Sequence, residues 1–332
     1  MAIGIIVNPA SGKDIRRLVS QATLFDNREK VNIAKRVILG AHAMGVEDFL
    51  LMPGGAGIGA VVLNQLEEAG TLPRGAKLLD MPTIGSVQDT TTAARMLEAA
   101  GASCVVALGG DGTSRAASKE LRNTAILPIS TGTNNVYPIF IEGTSAGICA
   151  GVVDRLGNPA RTCVRDKRIE IYIDGELRDI ALVDAVVSAH FYAGARAIWN
   201  MDEILAVLAI RAHPANIGFS SIVGCVQTVR AEDDCGYITY LSERGDSILA
   251  PVAPGIVAPL KATRPERIDL GNQYDFTAER DCMIALDGER EVKLKEGQTA
   301  TFLITRNGPW RVNVRETMEL AQREGFFHGE KI

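Results

Sequence analysis

Apolar positions change their spacing partway along the chain. In the first half, short apolar runs alternate with stretches whose apolar residues recur every three or four positions. Residues 3–8, 49–52, 77–81, 104–108 and 126–129 read as strands. Helical spacing falls between them over 61–69, 90–100 and 114–121. Glycines gather where strands end and helices begin. Strand, Gly-rich turn, helix, strand is a right-handed βαβ unit, and a series of them predicts a parallel sheet. Such sheets bind ligands at the carboxyl ends of their strands.

After about residue 160 the period shortens to two. Residues 168–173 alternate, Asp174-Gly175 has hairpin-turn composition, and a return strand is expected over 180–188. A second hairpin runs through 283–286, Asp287-Gly288 and 292–294, and 299–305 and 310–314 extend the series. Asn200 would cap a helix over 201–212, and 316–324 reads as a closing helix. The expected organisation is an α/β nucleotide-binding domain over 1–155 and a mainly antiparallel β domain over 156–315. A C-terminal helical segment over 316–332 is placed to return to the first domain.

Composition narrows the class. At 332 residues, 46% hydrophobic and 23% charged, the chain suits two globular domains and excludes a disordered chain or a disulfide scaffold. A net charge of -5 argues against a general nucleic-acid coat. There is no basic leader and no apolar run of membrane-spanning length, so a cytoplasmic protein with no membrane partner is expected. Six scattered cysteines and four histidines make no zinc pattern and read as reduced thiols. His190 and His213 sit in no triad or metal spacing.

Three polar or Gly-rich segments at strand ends carry the candidate chemistry. Gly109-Gly110-Asp111-Gly112-Thr113 follows a strand and opens a helix. Its glycines let the backbone approach an anion, and the helix aims its positive end there, so a phosphate is the natural occupant. Asp111 either caps the helix or handles a metal ion or the proton of an attacking hydroxyl. Ser130-Thr131-Gly132-Thr133-Asn134-Asn135 is a second loop of small donors and acceptors, and reads as a nucleotide contact or a plain polar turn. Asn8-Pro9-Ala10-Ser11-Gly12-Lys13 is the third, without the leading glycine of a P-loop. Together they point to one nucleotide on the rim of the sheet. A fourth segment, Gly55-x-Gly57-x-x-Ala60 with Asp80, fits a dinucleotide-binding fingerprint or a loop for close helix packing.

The order Asn8-Pro9-x-Ser11-Gly12, then GGDGT, then Gly132-Thr133-x-Asn135 resembles the NAD kinase and diacylglycerol/sphingosine kinase superfamily. The stretch 131–138 and the length most resemble its ATP-NAD-kinase-like branch, the acetoin-catabolism X proteins. The resemblance implies a Rossmann-like α/β domain on a β-sandwich domain, with the active site between them. It implies ATP and Mg²⁺ as cofactors, a small-molecule hydroxyl (NAD by default) as acceptor, a kinase in acetoin or related catabolism, and a homodimer or homotetramer. By the matched motifs, Asp111 is the catalytic acid/base, and Gly109, Gly110, Gly112 and Thr113 cradle phosphate. Asn8, Ser11, Thr131, Gly132, Thr133, Asn134 and Asn135 fall beside the nucleotide.

The lipid-kinase branch also carries a late Asp-Gly-Glu. Asp287-Gly288-Glu289 matches it, with Asp287 and Glu289 as catalytic acids and Asp287 as a Mg²⁺ ligand. Asp174-Gly175-Glu176 is the same tripeptide earlier in the chain. Two departures stand out. Arg115-Ala116 replaces the Asn-Glu pair of lipid kinases, and Val183-Asp184 keeps only the acid of the pair that binds the acceptor ribose in NAD kinases. Asp184 is the substrate-binding candidate. A non-catalytic nucleotide sensor and an NAD-dependent oxidoreductase using the Gly55–Asp80 unit are the alternatives.

Overall fold

The computed structural model describes residues 1–12, 25–55, 57–132, 134–189 and 201–328, with no side-chain account of 290 and 291. Lys13, Thr133, His190 and Asn200 lie outside the described residues.

The first half opens with β1 (Ile3–Val7), α1 (Asn27–His42), β2 (Asp48–Leu51), α2 (Ile58–Glu68) and β3 (Gly75–Leu78). It continues through α3 (Val87–Ala99), β4 (Cys104–Gly109), α4 (Asp111–Ser118), β5 (Ala125–Ser130) and α5 (Gly143–Leu156). Asp26 and Ser86 cap α1 and α3 by accepting from backbone N–H groups. β1, β4 and β5 are buried throughout, because helices cover both faces of the parallel sheet. One face packs its Ile, Val and Leu side chains on α1, α2 and α5, the other on α3 and α4.

The second half is β6 (Cys163–Arg165), β7 (Arg168–Ile173), β8 (Glu176–Ala181), β9 (Asp184–Ser188) and β10 (Ile204–Ala209), then a short α6 (Ser220–Gly224). β11 (Cys235–Ala253), β12 (Ile256–Ala262), β13 (Glu266–Asp269), β14 (Gln273–Thr277), β15 (Cys282–Leu286), β16 (Glu289–Leu294) and β17 (Thr299–Thr305) follow, and β18 (Trp310–Val312) and α7 (Val314–Arg323) close the chain. Two antiparallel sheets result, β12-β11-β10-β9-β15-β16 with β13 on β11, and β14-β17-β7-β8. They enclose a core of Ile171, Ile284, Phe302 and their neighbours. Among the described residues no helix is long and apolar enough to cross a membrane.

Three expectations need correction. Residues 201–212 are not a helix: a 3-10 turn over Met201–Glu203 leads into β10, in the middle of a sheet between β9 and β11. A continuous apolar run such as Ile-Leu-Ala-Val-Leu-Ala carries no period that separates a buried strand from a buried helix. The single return strand over 180–188 is two strands in different sheets, β8 and β9, broken at Leu182-Val183. Residues 310–314 do not extend the antiparallel series. β18 is only three residues long and lies parallel to β5, so the first sheet runs β3-β2-β1-β4-β5-β18-β6. Beyond it α7 packs on α5, with Ala321 and Phe326 against Met44 and Val152.

Candidate functional site

β1 and β4 are neighbours, while the next strands, β2 and β5, lie on opposite sides of them. A parallel sheet of this order opens a crevice where the winding direction reverses, between β1 and β4. The loops after β1, β4 and β5 meet there, bound to one another by side chains. Asn8 donates from Nδ2 to the Thr113 hydroxyl at 2.8 Å, and its Oδ1 accepts from the Ala10 amide. Ser11 and Thr131 share a hydroxyl–hydroxyl hydrogen bond of 2.8 Å. Asn135 donates to the Ser130 hydroxyl at 2.9 Å.

The glycines are required by contact. A Cβ at Gly109 would stand 2.3 Å from the Thr113 hydroxyl, and one at Gly110 would stand 2.7 Å from Asn135 Oδ1. A Cβ at Gly112 would meet Glu289 Oε1 at 2.3 Å, so the second half of the chain presses on the loop at this point. Gly110 precedes α4, whose first N–H groups lack intrahelical partners and face an anion favourably. The buried Oδ1 of Asn134 also has no hydrogen-bond partner among the described residues. Glycines that let the loops approach closely, a helix N-terminus and an orphaned acceptor fit a nucleotide with its phosphates.

Asp111 does more than sit in the cradle. Both its carboxylate oxygens accept from the Val136 amide at 3.1 Å, and Oδ1 accepts from the Tyr137 amide at 2.8 Å. Hydrogen bonds of this kind favour the charged carboxylate. They also fix the 134–137 loop. Tyr137 continues the connection by donating to Asp166 Oδ2 at 2.8 Å, and Arg211 lies over its ring. Burial pushes the Asp166 carboxyl up, but Arg211 and Arg311 outweigh it and hold it below the ordinary range.

Of the two Asp-Gly-Glu tripeptides, only the later one reaches this loop. Asp174-Gly175-Glu176 forms an exposed turn between β7 and β8, with Glu176 paired to Arg178. Asp287-Gly288-Glu289 turns between β15 and β16, with Asp287 at φ 49°. The Asp287 side chain has no solvent exposure. Its carboxylate accepts from the amides of Leu182, Val183 and Asp184 at 2.8–3.2 Å, which ends β8 and starts β9. Burial pushes it up to about 6, against the pull of Arg115 and the three amides.

The structure assigns Asp287 a part other than Mg²⁺ ligand. Its oxygens are spent on backbone amides, and no group of three His, Cys, Asp or Glu side chains among the described residues is arranged to hold a metal ion. A divalent ion does not fit there. Asp184 is buried beside this turn; its amide donates to the Asp287 carboxylate and its carbonyl accepts from the Asp287 amide at 3.0 Å.

Two residues in the site escaped sequence reasoning. Lys30, on α1, has no solvent exposure, and its ammonium donates to the carbonyls of Asn8 at 2.8 Å and Ser11 at 2.7 Å. It holds the loop after β1 from behind. A lysine on the buried face of an amphipathic helix was the available signal. Arg115, noted only as a departure, is 1% exposed. It donates to Asp179 at 3.1 Å and to Glu289 at 3.0 Å, and its Nε is 3.9 Å from Asp287.

The Gly55 unit lies one strand away from the crevice, after β2. Gly57 caps α2 with φ 65°, and a Cβ at Gly59 would meet the Met52 carbonyl at 2.5 Å. Gly57 serves the left-handed backbone before α2 and Gly59 the close packing of the helix, and Asp80 is exposed.

Residues 3–155 match the profile of the ATP-NAD kinase N-terminal domain, and residues 167–307 that of the acetoin catabolism protein X C-terminal domain. Acetoin catabolism protein X of Cupriavidus necator is 35% identical over 333 aligned positions, which cover 97% of this chain and 92% of that protein. Yeast NADH kinase, solved with NADH, superposes with a TM-score of 0.51 at 14% identity, over 99% of this chain and 88% of its own. A diacylglycerol kinase-type protein of Bacillus anthracis gives 0.52 at 11% identity, over 94% and 96%. At these identities the two structures share the fold alone.

Proposed function

The chain belongs to the acetoin catabolism protein X family and carries an ATP-NAD kinase N-terminal domain, and we propose that it transfers a phosphoryl group from ATP to a hydroxyl of a small molecule in acetoin or related catabolism. NAD is the first acceptor to test. The observation that carries this reading is the convergence of the GGDGT loop, the loop after β1 and the loop after β5 on one crevice, with Glu289 against Gly112. The Gly55 unit, one strand off the crevice, gives no such support to a dehydrogenase.

ATP would supply the phosphoryl group, and Mg²⁺ carried on its phosphates would screen their charge. The chain's own part is binding and orientation. Gly109, Gly110, Gly112 and Gly132 keep the backbone open to phosphate oxygens. Asn8, Ser11, Thr113 and Thr131 hold the loops at a fixed separation. Asp111, held in place by the Val136 and Tyr137 amides, orients the acceptor hydroxyl and takes its proton. In such a reaction positioning of the hydroxyl counts for more than proton abstraction. Glu289 and Asp184 stand on the acceptor side.

Phosphorus NMR with Mg-ATP tests this, first without acceptor and then with NAD, NADH and a panel of alcohols and sugars. A new phosphate ester that disappears in Asp111→Asn, while nucleotide binding stays, is the expected result. A nucleotide sensor is the second reading, favoured by Arg115, which already occupies the acids of the second half. ATP that binds but stays intact with every acceptor selects the sensor. No nucleotide binding at all refutes both.

A further inference from the structure

Tyr137 joins two networks by its opposite ends. Its backbone amide donates to Asp111 Oδ1 at 2.8 Å, beside the Val136 amide at 3.1 Å. Its hydroxyl, at the far end of a buried ring, donates to Asp166 Oδ2 at 2.8 Å. Asp166 lies between β6 and β7, and its side chain has no solvent exposure. Two guanidiniums from different halves of the molecule hold it. Arg211, just past β10, reaches Oδ1 at 2.7 Å, and Arg311, on β18, reaches Oδ2 at 2.8 Å. Arg211 also lies over the Tyr137 ring, 4.9 Å from its centre.

The ring has little freedom among these contacts. It packs with Leu182 and Val183, whose amides donate to Asp287. Pro138 follows and disfavours a helical backbone at Tyr137. One residue further on, the Ile139 amide donates to the Pro128 carbonyl at 3.1 Å, and its carbonyl accepts from the Ser130 amide at 2.8 Å. The chain that faces Asp111 is thus tied to β5 on one side and to Asp166 on the other. Asp111 itself opens α4, where its side chain has other staggered rotamers open to it. Loop amides restrain a carboxylate only as far as the loop is itself restrained. A buried tyrosine hydroxyl needs an acceptor in any fold. This one belongs to the same residue whose amide meets the acid of the GGDGT loop.

We infer that Tyr137 is a positioning residue for Asp111: anchored on Asp166, it keeps the Val136 and Tyr137 amides where they set the Asp111 carboxylate. The use of that carboxylate on an acceptor hydroxyl rests on the transfer reading above. The restraint does not.

Tyr137→Phe removes the hydroxyl and keeps the ring, so the packing against Leu182 and Val183 survives. Hydrogen–deuterium exchange in the full chain is read at the amides of positions 136 and 137, with buried Val106 of β4 as the reference. A hydrogen bond to a charged group holds back local opening by about tenfold or more. Exchange at 136 and 137 is therefore expected to speed up by at least about tenfold, with Val106 unchanged. In ester formation from Mg-ATP, kcat should fall about tenfold while KM for ATP stays within about twofold, because the phosphate-side loops keep their own contacts. Unchanged exchange at 136 and 137 overturns the inference. So does equal acceleration at Val106, which is what general loosening gives. A wild-type kcat, or a loss carried by KM instead, overturns it as well. Should the wild type form no ester with any acceptor, the transfer reading falls and the exchange rates alone decide whether Tyr137 holds Asp111.

Discussion

Arg115→Met removes the guanidinium and keeps a buried apolar stem, so it isolates the charge from the packing. The cost falls unevenly on the three acids. Glu289 has a side chain 46% exposed, and water takes over from the guanidinium there. Such an exposed pair contributes about 0–1 kcal/mol. Asp179 retains Lys119 at 2.7 Å. Asp287 is the acid that suffers: it has no exposure, and it loses the cation 3.9 Å from its carboxylate. At about 4 Å, attraction is worth about 4 kcal/mol at an effective dielectric of about 20, and breaking a buried pair from one side costs about 3–5 kcal/mol. Against a typical domain stability of about 5–15 kcal/mol, this is a large fraction.

The loss should depend on pH in a definite direction. Burial already raises Asp287 to about 6 with Arg115 in place, and removing the cation raises it further. A carboxyl whose folded pKa exceeds its unfolded one stabilises the fold when protonated, and that stability is lost as pH rises through the folded value. Wild type and variant therefore differ little from this source where both hold Asp287 protonated, below about pH 6. The gap opens above that value. Urea unfolding followed by circular dichroism at about pH 5 and about pH 8 reads it. A difference under about 1 kcal/mol at the higher pH, or the same difference at both, refutes the reasoning.

Lys30→Met removes the ammonium from the Asn8 and Ser11 carbonyls; Asn8 keeps the Ser11 hydroxyl as donor, so the loss falls on the Ser11 carbonyl at up to about 1–3 kcal/mol and loosens the loop after β1. Thermal unfolding and a fluorescent-nucleotide titration should both register it. Gly112→Ala places a Cβ 2.3 Å from Glu289 Oε1, the end of a half-exposed side chain that can swing away. Thermal stability is then expected to move by less than about 1 kcal/mol, while nucleotide affinity falls because Glu289 is pushed away from the GGDGT loop.

Much of the first half was legible in the sequence. Its strands are short apolar runs, helices cover both faces, and each Gly-rich turn marks a strand's carboxyl end. GGDGT could be read as a phosphate loop because its glycines have a local purpose, and Asp174-Gly175 and Asp287-Gly288 as turns because their composition demands one. The sequence left both Asp-Gly-Glu copies open as sites, since a tripeptide carries no record of what lies across from it.

Tertiary structure decided the rest, and in each case the cause is a partner distant in sequence. Residues 180–188 read as one return strand, yet the Asp287 carboxylate takes the amides of Leu182, Val183 and Asp184 and splits it in two. Residues 204–209 have no period of their own and became a strand because β9 and β11 flank them. β18 left the antiparallel series because the open edge of β5 offered it hydrogen bonds. Lys30 and Arg115 look like ordinary helical cations until the fold buries them, one under the loop after β1 and the other among Asp179, Asp287 and Glu289. Local propensity and periodicity are written in neighbouring residues. The charge that a buried side chain must meet is set by residues that only folding brings within hydrogen-bond reach.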